Sequence, residues 1–596
     1  MATVIRSSID FTRVFDILAY QRDRYPNSKA LSIRVHDRWF SYSINTLSDK
    51  IDTISLWLLK QGLIKGDRVV LFPYDGTPDW VAVDFACQQI GVISVILYPT
   101  LNGDEITRIV AEVKPKLVIC EDVTWYEAHQ GLFSVPFYHF DRTHPRFFNA
   151  LEDHFVPAIQ LINLHHLADE IKPDEVFCIL YTSGSTGESK GVMLTHSNVV
   201  HNIKAILSIL PITSDYRVIS FLPFSHIFER VSCYAYMAFG VSIYFSRDKS
   251  HFARDFKSVK PHCCTSVPRV LEKMYEFVEL KSLSASFIKR KVIQWALAIG
   301  EQYHDRTAQS FLYPFQLFLA RRLVLSRWRK ALGGKIEFMV VGAAALRPEI
   351  GRLFTAGGIR IIEAYGMTEM APLIAINRVE PGLQRWGTVG LAIPGVEIKI
   401  DNNPDNPEGE ILVKGPNLMR GYYNKDELTQ SMMTADGWFH TGDVGKLIDG
   451  KFLHITDRKK DLFKTSAGKY IAPLPLQNHF THSPYIERCL ILGFQRPYVT
   501  ALIVPNFELV ETWCEQHAIH YTSPEYMVHN IKVKELFQDE IDRLNEGVHG
   551  HERVRKFILC HQDWTVESGE ITVTLKPIRH LLMDHYQKAI EEMYEE

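Results

Sequence analysis

Val176-Phe-Cys-Ile-Leu-Tyr181 runs straight into Thr182-Ser-Gly-Ser-Thr-Gly-Glu-Ser-Lys-Gly191, and Val192-Met-Leu194 follows. The first run is continuously apolar, as in a strand covered on both faces. The second is rich in glycine and hydroxyl side chains. Gly184, Gly187 and Gly191 allow left-handed backbone and close approach to a ligand. The hydroxyls of Thr182, Ser183, Ser185 and Thr186, with nearby N–H groups, can wrap phosphate oxygens, and Lys190 adds a point charge. A Walker A loop needs Gly-Lys-Ser/Thr, whereas here Ser189 precedes Lys190 and Gly191 follows it. A plain Gly/Ser linker is the bland alternative, but it would not sit hard between two apolar runs.

Working outward, further buried-strand runs occur at Val69–Phe72, Leu117–Ile119, Val218–Leu222, Ile336–Val341 and Ile359–Glu363, separated by longer helical patterns. The alternation predicts an α/β architecture with βαβ crossovers. From about Thr388 the texture changes to short strands, Val389–Ile393, Val396–Ile400 and Glu410–Val413, with Pro-Gly and Asn-Pro turns between them. These predict a small β-subdomain. Asp457-Arg-Lys-Lys-Asp461 reads as a basic, flexible stretch, after which the chain restarts as a small α+β domain. Arg269 to Leu332 is a long helical segment. Near its end Leu317, Ala320, Val324 and Trp328 recur at helical spacing beside Arg321, Arg322, Arg327, Arg329 and Lys330. Such a helix either lies on anionic lipid or is a solvated face over a core stripe, the commoner case.

The 596 residues exceed one ordinary core, so two or more domains are expected. Hydrophobic residues at 46% and charged residues at 23% exclude a disordered chain, and a net charge of −3 argues against nucleic acid as a partner. The nine cysteines show no C-x-x-C and no metal-ligand spacing, which predicts reduced thiols and no zinc site. Arg6, Asp10, Arg13 and Asp16 interrupt any signal-peptide core, and the longest apolar run, near Val231–Phe245, is too short to span a bilayer.

Several motifs in order resemble those of the adenylate-forming superfamily, which includes acyl-CoA synthetases, firefly luciferase and the adenylation domains of peptide synthetases. Residues 181–191 resemble its phosphate loop. Gly342-Ala-Ala-Ala-Leu346 resembles the segment beside the adenine and acyl pockets, and Glu363-Ala-Tyr-Gly-Met-Thr-Glu369 the adenine and magnesium motif. Thr441-Gly-Asp443 resembles the ribose motif, Asp457–Asp461 the hinge, and Lys576 the C-terminal catalytic lysine. The resemblance covers almost the whole chain. It implies a large N-terminal domain over 1–459, made of two α/β subdomains and a small β-subdomain with a helical insert at about 269–332. A small mobile C-terminal α+β domain over 460–596 completes it.

The resemblance also implies roles. ATP would be held by Thr182, Ser183, Gly184, Ser185, Thr186, Gly187, Lys190, Gly342, Ala343, Ala344, Glu363, Ala364, Tyr365, Gly366, Thr368, Asp443, Arg458 and Lys576. Tyr365 offers a ring for adenine to stack on, although a core tyrosine would read alike. Glu369, with Thr186, suits Mg²⁺ beside phosphates, against a plain surface acid. Asp443 can accept both ribose hydroxyls or simply be a turn aspartate. Arg458 is a fork donor for ribose or phosphate. Lys576, His226, Arg458 and Glu369 are the catalytic candidates. Lys460 would be the hinge about which the C-terminal domain rotates between the two half-reactions, and Ser466, Ala467 and Gly468 would line the coenzyme A tunnel.

Ser220-Phe-Leu-Pro-Phe-Ser-His-Ile-Phe-Glu-Arg230, Lys464-Thr-Ser-Ala-Gly-Lys-Tyr-Ile-Ala-Pro473 and the helical insert resemble the long-chain fatty acyl-CoA synthetase branch. Phe224, His226 and Phe228 would border the acyl pocket, with Phe221, Tyr234, Tyr236 and Phe239 as further apolar wall or ordinary core. For His226, a pocket mouth and a hydrogen-bonded core histidine stand level. Two departures occur: Ser189 stands where proline is usual, and Gln477 where the branch usually has an acid. The implied reaction is ATP-dependent, AMP-forming ligation of a long-chain fatty acid to coenzyme A with Mg²⁺. The alternative is a fatty acyl-AMP ligase serving a carrier protein. The implied partners are fatty acid, ATP and coenzyme A. A peripheral membrane contact and a homodimer stay open, and the expected location is cytoplasmic or on the inner face of a membrane.

Overall fold

The computed structural model describes residues 11–142, 144–152, 157–182, 189–247, 249–283, 285–303, 312–402, 407–459, 461–466, 469–565, 568–571 and 577–595. The chain forms two compact units. The first comprises Met1–Glu272, Phe287–Ile398 and Val413–Phe439, and the second Lys273–Ser286, Lys399–Leu412 and His440–Glu596.

The first unit holds two large sheets. One runs in the order Gly421–Tyr422, Lys190–Thr195, Val176–Thr182, Ile93–Ile96, Arg68–Phe72, Leu117–Cys120, Phe137–Tyr138. Its central strands are parallel, and Lys190–Thr195 turns back antiparallel to Val176–Thr182. The other, nine-stranded, has Arg360–Gly366, Phe338–Val341, Cys263–Ser266, Arg217–Ser220, Ser242–Phe245 and Leu31–Val35 as its parallel centre. The continuous apolar runs are therefore parallel-sheet interiors, as their composition predicts. The strand predicted at Val218–Leu222 stops at Ser220, ahead of Pro223, which cannot donate to a ladder. That predicted at Ile336–Val341 starts at Phe338.

Two largely buried helices, Pro78–Gln89 and Ile227–Phe239, connect the sheets. Ser94 of the seven-stranded sheet donates to Asp84 on the first helix (3.3 Å). Ser220 and Thr265 of the nine-stranded sheet donate to Glu229 on the second (2.5 and 2.6 Å). Between the helices Arg230 pairs with Asp84, its Nε at 3.0 Å, and also donates to the Tyr234 hydroxyl at 2.8 Å. Arg230 is fully buried and Asp84 1% exposed, so each charge depends on the other: removing one partner of such a pair costs about 3–5 kcal/mol.

Arg269–Leu332 is helical among the described residues: Pro268–Leu283, Phe287–Glu301, Tyr313–Ala320, a π-type turn over Arg321–Leu325, and Ser326–Ala331. Leu317, Ala320, Val324 and Trp328 are buried, and Trp328 stacks on Phe354 with ring centres 4.7 Å apart. Arg321 and Arg329 donate to the carbonyls of Ala356 and Ile336. Of the two readings that the sequence left open, the stripe is thus core, the commoner one. Among the described residues no helix is long and apolar enough to cross a membrane.

Mostly within the second unit, Glu397–Asn402, Gly409–Lys414, Phe439–Ile448 and Phe452–Arg458 form a four-stranded sheet. Leu391–Ala392, read from the sequence as part of the same β-subdomain, instead pairs with Leu373–Ile376 at the edge of the nine-stranded sheet. Thr441-Gly-Asp443 lies inside a strand rather than in a turn, and Asp457-Arg458 ends a strand rather than belonging to a flexible stretch. The rest of the unit has a two-stranded sheet, helices, and a three-stranded sheet with Ile486–Leu492 antiparallel and Val554–Leu559 parallel to Val499–Pro505. Strand alternation sorts its side chains. Cys489, Ile491, Ala501 and Ile503 enter a core with Phe480, Val510 and Phe537, whereas Leu490, Leu492, Leu502 and Val504 enter another with Trp564, Leu582 and Ile590. Gln477 accepts from the Ile491 N–H (3.2 Å) and from Arg579 (3.4 Å), so its amide oxygen serves where the related branch has a carboxylate.

Candidate active site

The phosphate-loop stretch joins two antiparallel strands, Val176–Thr182 and Lys190–Thr195. Thr182 pairs with Lys190 and Tyr181 with Gly191, so the two strands hold both ends of the loop in register. Ser183, Gly184, Ser185, Thr186 and Gly187 lie outside the described residues. At the loop base the Tyr181 hydroxyl donates to Glu112 (2.8 Å) and Ser189 donates to Glu105 (2.9 Å), both on helix Gly103–Val113. The unusual serine before the lysine therefore anchors the loop.

Lys190 sits 5.2 Å over the ring of Tyr422, and the Tyr422 hydroxyl donates to Glu369 Oε1 at 2.8 Å. The Met419 N–H donates to the Glu369 carbonyl at 2.7 Å. The fold thus brings a loop cation and a carboxylate from distant motifs to one tyrosine. Tyr422 is 2% exposed, and burial followed by the Glu369 charge pushes its hydroxyl pKa up, so it stays a donor. Sequence reasoning missed Tyr422, which directly follows Gly421 in a two-residue strand. Among the described residues no cluster of three or more His, Cys, Asp or Glu side chains could hold a metal unaided. Glu369 is a single hard oxygen ligand held by a hydroxyl. It suits an Mg²⁺ that keeps most of its waters and binds through one carboxylate plus substrate phosphates.

Glu363, Ala364 and Tyr365 end strand Arg360–Gly366. Glu363 and Tyr365 share one face of the strand and Ala364 takes the other. An added Cβ at Gly366 would lie 2.0 Å from the Pro372 carbonyl oxygen, so only glycine fits there. Glu363 is 6% exposed, its Oε1 has no hydrogen-bond partner among the described residues, and burial pushes its carboxyl up to about 8. Ala343 is held left-handed (φ 70), a conformation that costs a non-glycine residue about 1 kcal/mol or more. Beside it, a Cβ at Gly342 would lie 3.2 Å from the Ala364 carbonyl and 3.5 Å from the Phe228 ring. The Gly342 segment, Ala364 and half-buried Phe228 therefore meet.

His226 precedes helix Ile227–Phe239, and its Nδ1 lies 3.2 Å from the Tyr98 hydroxyl. It is a half-buried, hydrogen-bonded residue. Phe224, Tyr234, Tyr236 and Phe239 are buried at 4% exposure or less, and Tyr234 is tied to Arg230.

The second unit carries the remaining motifs. Asp443 and Arg458 are cross-strand partners, with Arg458 Nε 3.4 Å from Asp443 Oδ1. Gly442 (φ 74) lets the strand kink there, and its N–H donates to Glu410 Oε1 at 3.2 Å. Thr441 donates to the Ile411 carbonyl at 2.7 Å. Burial raises the Glu410 carboxyl, but Lys459 (2.7 Å) and His440 (3.1 Å) outweigh it and hold the carboxyl below its ordinary value. Glu410 was not picked out from the sequence, where it reads as one more surface acid. Asp457, 1% exposed, accepts from the N–H groups of Arg458 (2.7 Å) and Leu474 (3.0 Å), tying the strand end to helix Pro473–Phe480. Ser466 donates its N–H to the Arg496 carbonyl at 2.9 Å. Lys460, Ala467, Gly468 and Lys576 lie outside the described residues.

Residues 18–423 match the family of AMP-binding enzymes and residues 460–596 the AMP-binding enzyme C-terminal domain. The chain belongs to the AMP-binding enzyme family. It is 30% identical to long-chain-fatty-acid–CoA ligase 5 of Mus musculus, over 94% of this chain and 84% of the relative. It is 28% identical to the peroxisomal long chain acyl-CoA synthetase 7 of Arabidopsis thaliana, over 98% and 86% respectively. Among solved structures, the adenylation domain of a carboxylate reductase from Mycobacterium chelonae shares the fold with a TM-score of 0.74 at 22% identity, covering 98% of this chain and 91% of that one.

Proposed function

We propose that this enzyme activates a long-chain fatty acid with ATP and transfers the acyl group to coenzyme A. The observation that carries the reading is the near full-length match to long-chain acyl-CoA ligases. The Lys190–Tyr422–Glu369 cluster at the base of the phosphate loop supports it. In the first half-reaction a carboxylate oxygen of the acid attacks the α-phosphorus of ATP. A P–O bond forms, the bond to the β-phosphate oxygen breaks, and pyrophosphate leaves. In the second, the thiolate sulfur of coenzyme A attacks the acyl carbonyl and AMP leaves with the former carboxylate oxygen.

Two anions meet in the first step, so positive charge and N–H donors where charge builds up are the main requirement. Lys190 and the hydroxyl-rich loop supply them, and by family resemblance Lys576 adds a second cation. Glu369, oriented by Tyr422, would hold Mg²⁺, which when bound neutralises phosphate charge. Tyr365 offers a stacking face for adenine. Glu363, uncharged at neutral pH, presents a carboxylic acid on the same strand face and can donate as well as accept. Asp443 is the ribose acceptor and Arg458 a polyanion donor, again by resemblance. Lys460 is the pivot of the C-terminal domain, and Ser466, Ala467 and Gly468 border the pantetheine. Phe228, beside Gly342 and Ala364, contributes apolar wall for the acyl chain. Each methylene of that chain is worth about 0.8 kcal/mol when buried.

The test is thioester formation with coenzyme A across acids from acetate to long chains, alongside fatty-acid-driven ATP–pyrophosphate exchange. Thioester with long acids is expected. Exchange without thioester would indicate transfer to a carrier protein instead, and activity confined to short acids would overturn the chain-length assignment.

A further inference from the structure

The helix Tyr313–Ala320 and the π-type turn after it are apolar on both sides. The inward side carries Leu317, Ala320 and Val324. The outward side carries Phe315, Phe318 and Leu323, exposed by 63%, 60% and 46%. Phe315, Phe318 and Arg322 follow one another at helical spacing and share that outward side. A surface helix of this kind normally presents polar residues to solvent. Two large aromatic rings facing outward on successive turns need an apolar environment to cover them.

The charge around them indicates which. Residues 312–332 contain five basic residues and no acid, in a protein whose net charge is −3. Arg321 and Arg329 spend their Nε donors on carbonyls of the protein body. Arg322, Arg327 and Lys330 are exposed on the same helical stretch. The adjacent helix repeats the pattern: exposed Phe287 and Ile288 are followed by exposed Lys289, Arg290 and Lys291, and residues 287–300 contain no acid. Aromatic and aliphatic side chains among cations, in stretches of sequence without an acid, fit the headgroup–acyl boundary of an anionic bilayer.

We propose that the outward face of Tyr313–Ala331, with Phe315 and Phe318 inserted and Arg322 and Arg327 at the headgroups, is a docking surface for anionic lipid membranes. The inference rests on the reading of a long-chain acid as substrate, because such an acid resides in bilayers and a docked enzyme meets it at high local concentration. The surface is the opposite side of the helix from the Leu317–Trp328 stripe, which is core.

The experiment is co-sedimentation of the full chain with phosphatidylcholine vesicles, with and without about a quarter phosphatidylglycerol. Binding is expected only with the anionic lipid and is lost in high salt. Phe315→Ser/Phe318→Ser should weaken it by roughly ten-fold or more. Arg322→Glu/Arg327→Glu should weaken it by at least about 25-fold, from about five-fold per cation. All nine native cysteines are buried. A polarity-sensitive dye on Phe318→Cys therefore reports insertion directly and should shift to the blue with anionic vesicles. Turnover of a short soluble acid, measured without lipid, should equal the parent's in every variant, which shows the fold is intact and keeps membrane docking separate from catalysis. Unchanged sedimentation of both double variants, or a dye spectrum unmoved by vesicles, overturns the proposal. So does a dimer, seen by light scattering, that Phe315→Ser/Phe318→Ser dissociates while vesicle binding persists, since the face would then belong to a second copy.

Discussion

Replacing Glu363 by glutamine should make the protein more stable, and increasingly so as pH rises. Among the described residues the buried Glu363 carboxyl has no charged partner, and its Oε1 has no hydrogen bond. Burial lifts its pKa from 4.5 to about 8. In the unfolded chain the group loses its proton near 4.5, whereas the folded protein keeps it until about 8. Folding therefore takes up a proton between these values. The contribution of Glu363 to stability is fully present below pH 4.5 and is lost as pH climbs to 8. From pH 5 to pH 8 the loss is about three pH units at about 1.4 kcal/mol each, or roughly 4 kcal/mol as a ceiling. Glutamine has the same shape and no titration, so every other titrating group cancels in the difference between variant and parent. Urea unfolding without ligands, at pH values from 5 to 8.5, measures that difference. The advantage of Glu363→Gln over the parent should grow by roughly 2–4 kcal/mol across the range and then level off. A difference that stays flat, or that shrinks as pH rises, would refute the argument that this carboxyl is buried and uncharged.

Tyr422→Phe removes the hydroxyl that orients Glu369 and should cost about 1–2 kcal/mol of transition-state stabilisation, seen as roughly ten-fold slower ATP–pyrophosphate exchange and a higher magnesium midpoint; an unmoved midpoint would count against the metal role of Glu369. Lys576→Ala should slow adenylation by about two to three orders of magnitude while sparing thioester formation from supplied acyl-AMP, and equal damage to both half-reactions would sink that assignment. Lys460→Pro, which fixes φ near roughly −65°, should spare only one half-reaction; normal overall turnover would remove Lys460 as the pivot. Asp84→Leu alone should destabilise the first unit by about 3–5 kcal/mol, and Asp84→Leu/Arg230→Met should recover most of it in thermal melts; if the double variant is no better, the Arg230 charge is not what the single variant strands.

The parallel strands were legible because burial on both faces leaves an unbroken apolar run. Val176–Thr182, Arg68–Phe72 and Leu117–Cys120 all fall where those runs lie. Some strands with a wet face were not. Arg38–Tyr42 reads Arg-Trp-Phe-Ser-Tyr and is mostly exposed at a sheet edge. Phe439–Ile448 contains Thr-Gly-Asp, whose local chemistry is that of a turn until its neighbours in the sheet impose extension. Glu410 and Tyr422 looked ordinary because nothing within a few residues of either announces its partner.

What the sequence alone determined is the chemistry and its order along the chain: a hydroxyl- and glycine-rich loop after a buried strand, an aromatic–acid motif, a Thr-Gly-Asp segment and a C-terminal lysine. These are readable because each depends on side-chain type and on spacing over a few residues. Only the tertiary structure decided that Tyr422 meets Glu369 53 residues away, that Asp84 neutralises Arg230 across 146 residues, and that Phe315 faces out while Leu317 faces in. Such pairings depend on strand register and on which side of a helix finds a neighbour, and an apolar residue at helical spacing reads the same whether the surface it covers belongs to the protein or to something outside it.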